Sequence, residues 1–454
     1  MKDHDHLALV TDLYQLTMAQ SYFHSKKFES ATFSLFIRSY PPGRGYFVCT
    51  GLEDILGYLA GLVFEEDAID YLRSTGIFAD DFLKFLKGVR FTGDVWAIPE
   101  GRLLFKDEPI LEISAPIIEA QIVETLVINQ INLQTLIATK ASRCVHAAQG
   151  RSVVDFSLRR TQGIDAGMKV ARASYITGCT ATSNVLAGKR YGIPVVGTMA
   201  HSFVSSFEQE IDAFRSFVAS FPENSTLLID TYDTLAGAHK AVKIAREMAA
   251  NGHRLRGVRI DSGDLLSLAR EVRRIFDEAG LTDVQIVGSG GLDEYDLATL
   301  SEAGAPYDSY GVGTKMGISA DAPWLDMAYK LVEHNGRPVL KLSTGRISSP
   351  AKKQVFRFVD GQGRLRRDVI GLREENFPGA EPLLKKAMEK GRVIGSSPAP
   401  KDIRECFLRE FRCLDDCYKT LQNPADYQVE LSPRLARFRE EIQQQVAREQ
   451  LNDG

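Results

Sequence analysis

The stretch Ile193-Pro-Val-Val-Gly-Thr-Met-Ala-His-Ser-Phe203 holds a short apolar run whose β-branched Val195 and Val196 read as a buried strand, ended by Gly197 and Thr198. His201 follows on the loop that must come next, between small residues that leave its ring accessible. The same order recurs on both sides. An apolar run stops, gives way to Arg, Asp, Ser or Gly, and a helical pattern follows. Apolar runs at Val153–Phe156, Val195–Val196, Leu227–Ile229, Val258–Ile260, Val284–Val287 and Tyr310–Val312 alternate with helical segments at 165–176, 182–191, 208–219, 234–251, 264–279 and 293–303. Such alternation predicts a parallel sheet with right-handed crossovers. An open doubly wound sheet and a closed barrel both satisfy it. The barrel is favoured because functional-looking residues follow nearly every strand, whereas an open sheet concentrates them at one switch point.

Outward from that core, residues 11–22 read as a helix, 31–40 and Tyr46–Cys49 as strands, and 52–61 and 65–75 as helices. Arg102–Phe105 and Ile110–Ile113 read as a hairpin about Lys106-Asp-Glu-Pro109, and Ala120–Ala148 as one long helix stopped by Gly150. Beyond 328 the pattern becomes hairpins, at Asn335-Gly336 and at Asp360–Gly363, then a final helix at 433–449 and a polar tail. The expected organisation is an N-terminal α/β sandwich region (1–150), an α/β barrel carrying the active site (151–327) and a C-terminal portion (328–454) packing back on the first.

The 454 residues suit two or three domains, and 44% apolar with 25% charged content is ordinary for a globular protein. A formal net charge of −4 gives no electrostatic reason to expect nucleic acid or an acidic membrane as partner. The start Met-Lys-Asp-His-Asp-His is charged with no apolar stretch behind it, so no secretory signal is expected. No later run approaches the roughly 18 apolar residues of a membrane span. Six scattered cysteines are what a reducing cytoplasm predicts. Cys406, Cys413 and Cys417 lack the spacing of a zinc knuckle.

Gly288-Ser289-Gly290-Gly291 and Gly311-Val-Gly313-Thr314 follow the last two strands, where barrels keep their phosphate cradles. Either alone would pass for a tight turn needing glycine; together they favour phosphate. Arg259 offers a planar fork for a carboxylate or phosphate. Asp261 and Asp264 suit ribose hydroxyls or phosphate-bound magnesium, or a salt bridge and a helix cap. Asp233 reads as a cap, whereas Asp230 stands one step past a strand, where a buried carboxylate needs a partner. The pair Arg159-Arg160 is more often a solvated face, but on this rim an anion site is the better reading.

These segments carry a resemblance. Thr11–Met18, Pro42–Tyr46 with Gly51–Glu53, Leu136–Arg143, Phe156–Arg160, Ser183–Gly188, Gly197–Phe203, Arg259–Asp264 and Gly311–Thr314 run in the order found in nicotinate phosphoribosyltransferases. The chain resembles that family over about 1–355. Departures are small: Ser157 and Thr161 flank the Arg pair where other small residues are common, and Ala351 stands where glycine is usual. The resemblance implies a type II phosphoribosyltransferase fold, an irregular parallel α/β barrel with an α/β sandwich domain, as a homodimer with shared active sites. It implies that nicotinate and 5-phosphoribosyl 1-pyrophosphate give nicotinate mononucleotide and pyrophosphate, coupled to ATP hydrolysis through a phosphohistidine at His201. It further implies that Asp230 orients the imidazole, and that Tyr14 (from the neighbouring subunit) and Phe156 stack on the pyridine. Thr198, Arg259 and Arg159 would bind the carboxylate. Arg160, Asp261, Ser289, Gly290, Gly291, Gly311, Gly313 and Thr314 would hold the ribose phosphate, and Lys140 and Arg143 the pyrophosphate. Magnesium would be held through pyrophosphate rather than by side chains alone.

Asn184 bears on acid against amide. The similar nicotinamide-using enzymes place a carboxylate near this point, which would repel nicotinate by about 1–4 kcal/mol at about 4 Å. A neutral Asn184 therefore favours the acid. Competing readings are a nicotinamide or quinolinate phosphoribosyltransferase, a catalytically inactive nucleotide-sensing homologue, and a phosphate-handling aldolase or isomerase. No barrel lysine is placed to form a Schiff base for the last of these.

Overall fold

The computed structural model describes residues 6–342 and 349–451; the charged start before His6 and the polar tail after Leu451 lie outside them. Two compact units form, one from residues up to 136 together with those from 324 on, the other from 137 to 323.

The first unit begins with α1 (Leu13–His24), β1 (Ser30–Ile37), β2 (Phe47–Val48), α2 (Leu52–Ala60), α3 (Glu66–Ser74) and α4 (Asp80–Gly88). The last of these was not anticipated, although Phe82, Leu83 and Leu86 trace its buried face. Next come β3 (Asp94–Ala97), β4 (Leu103–Leu104), β5 (Leu111–Pro116), α5 (Ile117–Ile122) and α6 (Glu124–Ala147), which passes into the second unit after Leu136. The expected hairpin at 102–113 is not one. β4 pairs with β2, whereas β5 pairs with β1 and β3. Both residues of β4 are wholly buried, so the segment is held by core burial rather than by its sequence neighbour. The long helix expected from 120 is interrupted at Val123.

The second unit carries β6 (Ser152–Asp155), α7 (Ile164–Ile176), β7 (Ala181–Thr182), α8 (Val185–Tyr191), α9 (His201–Ser205), α10 (Glu210–Ser220) and β8 (Thr226–Leu228). It continues with α11 (Thr234–Ala250), β9 (Gly257–Ile260), α12 (Leu265–Glu278), β10 (Gln285–Gly288), α13 (Glu294–Glu302), β11 (Ser309–Val312) and α14 (Thr314–Gly317). Six strands form one parallel sheet in the order β7-β6-β11-β10-β9-β8. The helices expected within 165–176, 182–191, 208–219, 234–251, 264–279 and 293–303 form, and α12 buries Ala269, Val272, Ile275 and Phe276 on one face. By contrast α9, where a loop carrying His201 was expected, and α14 were not anticipated.

The 193–196 segment is corrected. Val195 makes only an isolated parallel bridge to Thr182, and Val195 and Val196 are exposed. The strand at this position is β7, two residues long, which periodicity could not mark. Among the described residues no ladder joins 194–196 to β8, so the sheet is a half-barrel, open on that side.

The remaining elements complete the first unit: β12 (Met327–His334), β13 (Arg337–Pro338), β14 (Lys353–Val359), β15 (Leu365–Leu372), β16 (Glu381–Pro382), β17 (Lys385–Glu389), β18 (Arg392–Val393), α15 (Pro400–Cys413), β19 (Val429–Leu431) and α16 (Pro433–Leu451). Its seven-stranded sheet runs β13-β12-β1-β5-β3-β17-β18, so C-terminal strands pair directly with N-terminal ones. The β12–β13 turn is Asn335-Gly336 and β14 pairs antiparallel with β15, as the turn residues predict. Ala351 takes φ 65°, a left-handed conformation costing a Cβ-bearing residue about 1–2 kcal/mol.

Inside the second unit, Glu294 opens α13 with its side chain wholly buried. Lys140 Nζ lies 2.5 Å from one carboxylate oxygen and Arg143 Nε 3.0 Å from the other, while Lys140 also meets Asp321 at 2.7 Å. Removing one partner of such a group leaves uncompensated buried charge, costing about 3–5 kcal/mol. Glu294→Gln is therefore expected to lower the thermal midpoint by about 10 °C, followed by circular dichroism. An unchanged midpoint would show that the cluster does not hold α13.

Candidate active site

Parallel strands bring their C-terminal ends to one rim, and carboxylates shape the loops there. Asp155, at the end of β6, accepts hydrogen bonds from Ser157 N (2.9 Å), Ser157 Oγ (2.5 Å) and Thr182 Oγ1 (2.7 Å). Burial pushes its pKa up, and those donors pull it back. The result fastens the turn carrying Phe156, Arg159 and Arg160 to β7. Phe156 N donates to Val312 O at 2.8 Å, and its ring lies so close to Gly311 that an added Cβ would sit 2.4 Å from it.

The next rim carboxylates are linked. Asp230 Oδ2 accepts from Asp261 N (3.0 Å) and Ser262 Oγ (2.6 Å), and Asp261 Oδ1 accepts from Ser289 Oγ at 2.5 Å. Arg259 Nη2 donates to Met199 O at 3.0 Å, tying β9 to the loop before α9. Burial draws the Arg259 pKa below its ordinary value; Asp261 and Asp230 oppose this and Arg159 adds to it. Asp233, Asp264 and Asp293 are helix caps, accepting from backbone N–H groups of α11, α12 and α13.

His201 opens α9 with its side chain 44% exposed. Its Nδ1 lies 3.1 Å from Thr231 Oγ1 and its Nε2 3.9 Å from Asp261 Oδ2. Asp230, expected to orient this ring, has Oδ2 engaged by Asp261 and Ser262 and Oδ1 buried without a hydrogen-bond partner among the described residues, and the ring's partner is the next residue along.

These loops surround a cavity of about 600 Å³. It is lined by Phe156, Arg159, Arg160, Thr198, His201, Arg259 and Asp261, and by the turn residues Ser289, Gly290, Gly291, Gly311, Gly313 and Thr314. Three arginines face one aspartate across it, so the lining favours anions. Ser183, Gly197, Met199 and Ala200 line it too; small side chains near His201 were the available signal for Gly197 and Ala200.

Other expected site residues are placed elsewhere. Asn184 is buried as the N-cap of α8: its Oδ1 accepts from Ala187 N at 3.1 Å and its Nδ2 donates to Gly167 O at 3.2 Å. Both ends of its amide are occupied and it does not line the cavity, which its neighbour Ser183 does. Lys140 and Arg143, expected at pyrophosphate, are wholly buried and neutralised by Glu294 and Asp321. Their charges serve the fold. Tyr14 belongs to the first unit and is half-exposed on α1.

A parallel half-barrel with an arginine-lined, anion-attracting mouth, in a chain that also forms a largely antiparallel α/β unit, has the type II phosphoribosyltransferase fold. A crystal structure of human nicotinic acid phosphoribosyltransferase superposes with a TM-score of 0.87 at 29% identity, covering 95% of this chain and 99% of that one. Residues 9–132, 151–357 and 376–439 match the N-terminal domain, the family proper and the C-terminal domain of the nicotinate phosphoribosyltransferase (NAPRTase) family. Nicotinate phosphoribosyltransferase pncB2 of Mycobacterium tuberculosis is 46% identical over 430 residues, 94% of this chain and 92% of its own. The nicotinate phosphoribosyltransferase of Bacillus subtilis is 36% identical over 94% of this chain and 93% of its own. The chain belongs to the nicotinate phosphoribosyltransferase family.

The glycine turn sets a sharp test. At Gly290 (φ +102°) a Cβ would lie 1.8 Å from Asp261 O, whereas at Gly291 (φ +73°) nothing stands within 4 Å. Gly291→Ala is expected to cost only the left-handed strain of about 1–2 kcal/mol. Gly290→Ala must also push β9 and β10 apart, and its Tm should fall further. Equal melting of the two variants would contradict this packing.

Proposed function

We propose that this chain transfers the phosphoribosyl group of 5-phosphoribosyl 1-pyrophosphate to the ring nitrogen of nicotinate. The products are nicotinate mononucleotide and pyrophosphate, and the reaction is the first step of NAD synthesis from nicotinate. The observation carrying this reading is the cavity itself. An aromatic face, three arginines and two glycine turns converge where an anionic ring and a phosphorylated sugar would both be held.

In the transfer, the C1–O bond to pyrophosphate breaks with its electron pair leaving on oxygen, and the nicotinate nitrogen donates its lone pair to C1. The state between is oxocarbenium-like, so the protein's task is to position the ring and balance separating charge. Phe156 supplies a stacking face, joined by Tyr14 from a second copy of the chain in a homodimer. Arg259, with Arg159 and Thr198, takes the carboxylate, a charge-assisted contact that nicotinamide cannot make. Arg160, Ser289 and the glycine turns take the ribose phosphate, and Asp261 the ribose hydroxyls.

Among the described residues no group of three or more His, Cys, Asp or Glu could hold a metal ion. Asp261 is the carboxylate at hand for a magnesium ion that would enter with pyrophosphate. Bound there, magnesium would stabilise charge on the leaving group. ATP is the second phosphate-bearing substrate. The His201 Nε2 lone pair attacks its γ-phosphorus, the bridging P–O bond breaks and ADP leaves. Water later displaces phosphate, and the electron pair returns to Nε2. The exposed ring beside the phosphate-binding turns supports this role.

Pyrophosphate release with nicotinate, nicotinamide and quinolinate in turn, each with 5-phosphoribosyl 1-pyrophosphate, is expected only with nicotinate. Release with another substrate alone, or with none, would replace this reading by a different transferase or an inactive sensor. Arg259→Met should lower kcat/KM for nicotinate by about a hundredfold, the loss of a paired carboxylate contact. Intact-mass measurement after ATP should find one acid-labile phosphate on the wild type and none on His201→Ala; a phosphate retained by the variant would remove the role of His201.

A further inference from the structure

We propose that Thr231 is the positioning residue of His201: its hydroxyl oxygen accepts the Nδ1 proton and so leaves the Nε2 lone pair free as phosphoryl acceptor. This rests on the phosphohistidine reading above.

The ring has two polar neighbours, and the distances divide their roles. Thr231 Oγ1 is within hydrogen-bonding range of Nδ1 at 3.1 Å, whereas Asp261 Oδ2, at 3.9 Å from Nε2, is beyond it. Asp261 is also occupied on its other oxygen by Ser289 Oγ. The carboxylate best placed in sequence to reach Nδ1, Asp230, spends one oxygen on Asp261 N and Ser262 Oγ. A threonine hydroxyl therefore stands where histidine nucleophiles often meet an acid.

That substitution has a chemical consequence. A carboxylate on Nδ1 would favour the imidazolium, in which Nε2 keeps a proton and has no lone pair to give. A hydroxyl carries no net charge. It selects the Nδ1–H tautomer while stabilising the cation far less than a carboxylate would, and the same bond can persist when Nε2 carries phosphate. A hydroxyl can donate as readily as accept. Donation to Nδ1 would put the ring proton on Nε2 and block the transfer, so the direction of this one bond is what the proposal fixes.

The test uses full-length protein labelled with ¹⁵N-histidine, the His201 signal being assigned by its loss in His201→Ala. In the wild type and in Thr231→Ser the side-chain shifts are expected to report a ring protonated on Nδ1; in Thr231→Val that preference is lost. In parallel, phosphate uptake from ATP is timed by intact mass. Thr231→Val is expected to be slower by about five- to tenfold, the rate equivalent of one hydrogen bond, with Thr231→Ser restoring most of the loss. A Thr231→Val protein that keeps the wild-type tautomer, or takes up phosphate at the wild-type rate, overturns the proposal. So does a wild-type ring protonated on Nε2, a result that needs no variant to fold. If wild type takes up no phosphate, the phosphohistidine reading fails and with it the acceptor role given to Nε2, while the ring shifts still decide whether Thr231 sets the tautomer.

Discussion

Six parallel strands side by side point their C-terminal ends the same way, and every loop that leaves one must start from the same rim. Nearly everything polar in the second unit follows from that constraint. Backbone groups at the rim have lost their ladder partners, and the chain supplies side chains to satisfy them. Asp155, Asp230, Asp261, Asp264 and Asp293 each accept from backbone or hydroxyl donors within a few residues of a strand end.

This explains the charge of the cavity. A rim so rich in aspartate would repel phosphate if those carboxylates faced outward. Most are turned into caps and turn closures, where hydrogen bonds hold them, and the arginines at 159, 160 and 259 are left to set the sign of the mouth. The glycines serve the same end by a different route. Gly290 lets one strand-end loop lie against the backbone of its neighbour, and Gly311 makes room for the Phe156 ring. Bulk is removed where two loops must meet, and charge is neutralised where it would oppose an anion.

A second polar layer lies beneath. Glu294, buried at the first turn of α13, is gripped by Lys140 and Arg143 from α6, and Lys315 meets Asp293 and Asp296 at 2.9 and 3.0 Å. Lys315 follows the second glycine turn and Asp293 the first, so the two turns are tied through α13. Residues that look like substrate ligands by charge and position thus act one layer further in.

The alternation of apolar runs and helical segments was enough to place most elements of the half-barrel to within a few residues, because burial against a sheet imposes its period directly on the chain. Caps and turns at Asp233, Asp264, Asn335-Gly336 and the glycine loops were legible for the same local reason. Long-range competition was not. Only the packed structure sends 103–104 and 111–116 to different sheets, makes two-residue β7 rather than 195–196 the strand, and closes α/β unit one with strands from the far end of the chain. Likewise residue type marked His201, Asp230 and Lys140 as chemically able, while which atom each would touch depended on neighbours tens to hundreds of positions away. Local periodicity is a property of consecutive residues; the partner of a side chain is a property of three-dimensional distance, and that the chain settles only on folding.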